Sequence, residues 1–84
     1  MVLEARDRSI LDFERSWWQE RGPKQQAIRM RLDISPALYY RRLRELVDVR
    51  AAYDYDPLLV RRLRRQRDSR RRTRFEGPAR GQTR

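Results

Sequence analysis

The chain is expected to be all-α: three short helices packed as one small domain, then a fourth, arginine-rich C-terminal helix. Three observations predict this. The stretch Lys24–Asp48 divides at Asp33-Ile34-Ser35 into two helix-length pieces. In the second piece Tyr39, Leu43, Leu46 and Val47 recur at i, i+4, i+7 and i+8, the stripe by which a helix packs on a core. Ser35-Pro36 and Asp56-Pro57 each place a capping side chain before a proline at the first helical position, where the missing N–H costs nothing. Two helices around a tight break, the second opened by Ser-Pro, make the plan of a helix-turn-helix.

Residues 1–8 read as a frayed lead-in, with Ser9 or Asp7 available to cap a first helix from Ile10 to about Glu20. Ile10, Phe13 and Trp17 share one face of that helix, with Leu11 and Trp18 beside them. The tryptophans are expected to wall the core, as large aromatics dominate small interiors; base stacking is the lesser alternative. Arg21-Gly22-Pro23 should end the helix, with Gly22 left-handed. A second helix follows from Pro23 to about Arg31, and the third runs from Pro36 to about Val49. Residues 50–56 read as a connector, with Tyr53 and Tyr55 able to pack back. The fourth helix opens at Asp56-Pro57, and Leu58, Leu59, Val60 and Leu63 are its apolar content. The domain therefore spans residues 9–60, the arginine-rich extension 61–76 and a disordered tail 77–84. Like charges at i, i+4 oppose helix in the extension unless a polyanion is bound.

Composition narrows the function. There is no cysteine and no histidine, which removes disulfides, thiol nucleophiles, the usual zinc ligands and the commonest general base. No glycine-rich phosphate loop is present either, so neither an enzyme nor a metal or other cofactor is expected. No apolar run is long enough to span a membrane, and the start does not resemble a signal peptide, so the expected setting is cytoplasmic, at the nucleoid. Residues 1–60 carry ten arginines and one lysine against ten carboxylates, a balance of +1. Residues 61–84 carry eleven arginines against Asp68 and Glu76, a balance of +9. A block of that kind usually meets a polyanion. The ratio of 21 arginines to one lysine reads as a genomic bias.

Candidate contacts follow from position. The face of the third helix opposite its apolar stripe carries Ala37, Arg41, Arg44 and Asp48, with Tyr40 and Arg42 on its flanks. Ala37, Leu38, Tyr40, Arg41 and Arg44 are the candidates for base edges, because arginine suits bidentate contact with guanine. Candidates for phosphate are Lys24, Gln25 and Gln26 at the start of the second helix, Arg42, and Arg61, Arg62, Arg64, Arg65, Arg67, Arg70, Arg71, Arg72 and Arg74 in the extension. Solvated glutamines are an equal reading of Gln25 and Gln26.

Ile10-Leu-Asp-Phe-Glu14 with Trp17-Trp18, Gln26-Ala-Ile28, Leu38-Tyr-Tyr40 with Leu43 and Leu46-Val-Asp48, and Asp56-Pro-Leu-Leu-Val60 leading to Arg61-Arg-Leu-Arg-Arg65 resemble a family of small actinobacterial proteins of unknown function, over about residues 9–72. More loosely, Gln26–Leu46 is similar to the helix-turn-helix of the last DNA-binding region of sigma factors, through Ile28, Leu32, Ile34-Ser-Pro36 and Leu43. That resemblance puts Asp33 where a turn glycine is usual and Arg29 where a small residue touches the next helix, so it implies a left-handed Asp33 and a looser crossing.

The leading expectation is a DNA-binding regulator of transcription, with DNA a more natural target than RNA and the basic arm on phosphates. One recognition helix reads few base pairs, so high specificity would call for a homodimer or a second DNA-binding partner. The alternatives are a module that docks on RNA polymerase or a sigma factor, and an RNA- or ribosome-binding protein acting through the arginine-rich helix.

Overall fold

A computed structural model describes residues 3–81, and side chains as far as residue 73. All regular structure among them is helical: α1 (Ala5–Ser16), a 3-10 turn (Trp17–Gln19), α2 (Lys24–Leu32), α3 (Pro36–Leu46), α4 (Arg50–Tyr55) and α5 (Pro57–Gly81). The connector expected at 50–56 is thus itself a helix, and the arginine-rich helix is the fifth. Ala51 and Ala52 favour that short helix, Arg50 and Asp54 pair across one turn at 3.0 Å, and Ala52 is fully buried.

The first helix begins five residues before the expected start. Its N-cap is Glu4, which makes no side-chain capping bond, and Leu3 and Asp7 are buried, so the lead-in belongs to the fold. Asp7 is held by Arg42 of α3: Nε and Nη2 donate to its two oxygens at 2.9 and 2.8 Å. The paired guanidinium keeps the Asp7 carboxyl below its ordinary range, against the opposing effect of burial.

The other end of α1 also differs from expectation. The α-helix stops at Ser16, whose hydroxyl donates back to the Asp12 carbonyl at 3.2 Å, and the chain tightens into the 3-10 turn. The tighter winding re-aims both tryptophans. Trp17 is half-buried against the core and Trp18 is 68% exposed, so only Trp17 contributes to the wall expected of the pair. The chain then turns through Gly22 at φ 81°, the left-handed conformation expected there.

Tyr39 takes the central place instead. It is fully buried, lies edge-on to Phe13 at 5.7 Å, and its hydroxyl donates to Glu14. Around it are Ile10 and Leu11 of α1, Ala27 and Ile28 of α2, Leu43 and Leu46 of α3, and Leu59, Val60 and Leu63 of α5. α1 packs on α3 and α4, α2 on α3, and α4 on α5.

The local signals at the turn and the caps hold. Asp33 adopts the left-handed conformation at φ 58°. Ser35 Oγ accepts from Leu38 N–H at 3.1 Å, and Asp56 Oδ1 accepts from Leu59 N–H at 3.3 Å. Arg29 is exposed, so it does not stand between the helices. α5 continues past Gly77 to Gly81, where a tail from residue 77 was expected.

Because Asp7 titrates below the unfolded carboxylate range, its pair with Arg42 contributes stability above about pH 4 that fades as pH falls through the folded value. Asp7→Asn should therefore cost about 2 kcal/mol at pH 7 and progressively less toward pH 2.5. Urea denaturation at the two pH values checks this; a cost that does not change with pH would show that the charge of Asp7 is irrelevant.

Candidate nucleic-acid interface

The αL turn at Asp33 and the Ser35 cap set the start of α3, and the buried Tyr39, Leu43, Leu46 and Val47 fix its rotation about its axis. The opposite face presents Ala37, Arg41 and Arg44 to solvent, with Glu45 and Asp48 farther along. Leu38 is half-buried. Among the described residues neither Arg41 nor Arg44 forms an ion pair.

Several expected contact residues are engaged within the chain instead. Arg42, expected at phosphate, is turned to Asp7 and Glu45, which raise its already high pKa, and it links α1 to α3. Tyr40 is half-buried and lies edge-on to Tyr39 at 5.0 Å, which takes it off the outer face of α3. Arg64 donates from Nε to the Val47 carbonyl at 2.8 Å, satisfying a terminal acceptor of α3, and its guanidinium sits 5.4 Å from the Tyr53 ring. Arg67 donates to both oxygens of Asp48 at 3.0 and 3.1 Å.

Lys24 is the largest departure. Its Nζ lies 2.9 Å from Glu14 and 4.9, 5.6 and 5.2 Å from the ring centroids of Trp17, Tyr39 and Tyr40. Its side chain is 18% exposed, so it is held inside the chain and not presented to solvent as its position at the start of α2 implied. Glu14 accepts from both Lys24 and the Tyr39 hydroxyl; burial, and after it that carboxylate, push the phenol pKa far up. A compact ammonium fits this aromatic enclosure, whereas a planar guanidinium is larger. The lone lysine among 21 arginines was the sequence signal for such a site.

The free cations lie elsewhere. Arg61, Arg62, Arg65, Arg70, Arg71 and Arg72 of α5 are exposed and form no ion pair among the described residues; Arg74 falls outside the described side chains. Gln25 and Gln26 are exposed at the start of α2. The carboxylates, by contrast, are mostly occupied: Asp7, Asp12, Glu14, Glu20, Glu45, Asp48, Asp54 and Asp56 all take part in ion pairs. This pairing leaves the near-neutral balance of the first 60 residues unchanged, but it leaves Arg41 and Arg44 among the cations without a carboxylate partner.

Lys24→Ala should lower stability by about 2 kcal/mol, because Glu14 loses its cation and three rings lose their guest. Lys24→Arg keeps the charge and should still cost about 1 kcal/mol. Urea denaturation followed by tryptophan fluorescence measures both, and a Lys24→Arg protein as stable as the parent would mean that the enclosure does not select for lysine.

Among the described residues no helix is long and apolar enough to cross a membrane. No curated protein and no solved structure matches the chain. A family model matches residues 2–75, nearly the whole chain, and its description is Protein of unknown function (DUF3263). The chain belongs to that family.

Proposed function

We propose that the protein binds double-stranded DNA as a helix-turn-helix regulator of transcription, reading bases with α3 and gripping phosphates with α5. The observation that carries this reading is the placement of unpaired charge: most carboxylates take part in ion pairs, while Arg41 and Arg44 on the outer face of α3 and six arginines of α5 remain unpaired among the described residues, as do Arg6, Arg21 and Arg29 elsewhere on the surface. Arg41 and Arg44 are one helical turn apart, suited to neighbouring base edges. Ala37 beside them is small enough to let the helix backbone approach a groove. The left-handed Asp33 and the Ser35 cap support the resemblance of Gln26–Leu46 to the sigma-factor motif. Under this reading the protein acts in the cytoplasm at the nucleoid, and a site of useful length requires a homodimer or a partner such as RNA polymerase or a sigma factor.

The test is selection from a random duplex library at about 150 mM salt, where the Debye length is about 8 Å. Enrichment of a short motif is expected, and a paired motif would give the half-site spacing of a dimer. Arg41→Ala should then weaken binding to the selected site by about 10-fold or more while leaving binding to unrelated duplex nearly unchanged. Changing Arg61, Arg65 and Arg72 to Gln should flatten the logarithmic salt dependence, by about 0.9 for each phosphate no longer neutralised. No enriched motif, with binding that disappears as salt rises, would overturn base reading by α3 and leave α5 as a sequence-blind polyanion contact.

A further inference from the structure

A groove of about 430 Å³ opens between α3, α5 and the 3-10 turn. Trp17, Tyr40, Leu43, Val47 and Leu63 give it an apolar lining, two of the five aromatic. Lys24 and Glu14 also reach it, but they neutralise each other as an ion pair. Arg67 at the rim is paired with Asp48. That leaves Arg44 and Arg70, which line the groove from two different helices and form no ion pair among the described residues.

Size and charge together define the occupant. The volume falls in the lower part of the range for small-molecule sites, roughly 300–1,000 Å³. Aromatic faces take a flat ring without regard to its exact identity. Unpaired guanidiniums match the oxygens of a phosphate and bind it through charge-assisted bonds. We propose that this groove is a binding site for a small aromatic phosphate of mononucleotide size, its ring among the apolar side chains of Trp17, Tyr40, Leu43 and Val47, beside the Lys24 ammonium that the two aromatic rings already hold, and its phosphate between Arg44 and Arg70. The site stands independently of DNA binding, since it requires only the groove and its two free arginines.

The experiment is titration of the full chain with guanosine 5′-monophosphate, followed by the two tryptophan indole N–H signals in a nitrogen–proton correlation spectrum. Trp17 lines the groove and Trp18 does not, so each protein carries its own control. The Trp17 signal should move saturably, with half-saturation at or below about 1 mM, and Trp18 should stay in place. Guanosine alone and inorganic phosphate alone should each bind at least about 10-fold more weakly, because each offers half of the chemistry. Arg70→Ala should weaken the nucleotide by about 10-fold with an unchanged circular dichroism spectrum, since Arg70 is exposed. The proposal is overturned by no saturable movement up to about 10 mM nucleotide, by equal movement of both indoles, by inorganic phosphate binding as well as the nucleotide, or by an unchanged affinity of the Arg70→Ala protein. Binding of an acidic peptide at Trp17 with the nucleotide silent would likewise overturn it and assign the groove to a protein partner.

Discussion

Tyr39 is the largest side chain that the structure buries completely, and its hydroxyl is tied to Glu14. A buried phenol without a partner would cost free energy, so the position of Glu14 on α1 and that of Tyr39 on α3 constrain each other. Glu14 is itself mostly buried and needs a cation, which Lys24 supplies from the start of α2. One hydroxyl, one carboxylate and one ammonium thus connect three helices, and Phe13, Trp17 and Tyr40 close around them. In a chain this short, with a core of few large residues, such a polar junction specifies the helix arrangement more sharply than further aliphatic contacts would. Among the described residues no buried side-chain nitrogen or oxygen lacks a partner, so the junction is fully satisfied.

The same constraint decides what is left for function. A lysine inside the junction and an arginine locked on buried Asp7 are not available to a ligand. α5 contributes Leu59, Val60 and Leu63 to the core and fastens itself to the turn that ends α3 through Arg64 on Val47 and Arg67 on Asp48. Those two arginines sit between the buried stripe of α5 and its outer face, where the long stems can lie along the domain while the heads reach polar partners. The arginines farther round the helix face water. Structural and available cations are separated by their angular position on one helix, a distinction that a count of charges does not make.

Much of the fold was legible in the sequence because its signals are local. Ser35-Pro36, Asp56-Pro57, Asp33 and Gly22 each act within one turn of chain, and each does in the structure what its chemistry implies. The apolar stripe of α3 was legible for the same reason, as its period alone names Tyr39, Leu43, Leu46 and Val47. The misses are non-local. Asp7 and Arg42 are 35 positions apart, and no pattern in the sequence pairs them or shows that the lead-in is part of the domain. Nor did composition reveal that α1 ends at Ser16, since Trp17 and Trp18 continue its apolar face on paper. Of the candidate contacts, Ala37, Arg41 and Arg44 keep the exposure their positions implied, whereas Lys24, Tyr40 and Arg42 lose it to partners on other helices or within α3.

Arg44 is where the two proposed activities meet. It lies on the outer face of α3 beside Arg41, and it also lines the groove toward Trp17 and α5. A base edge and a ligand phosphate would have to share the donors of one guanidinium and agree on where it points, so occupation of the groove and base reading by α3 would compete at this residue. Arg41, which does not line the groove, is free of that conflict. By linkage, any free energy that a groove ligand withdraws from DNA binding is withdrawn equally from the ligand by DNA. A chain of 84 residues with α3 packed directly between core, groove and solvent needs no second domain for such coupling; the shared side chain is the whole of the connection.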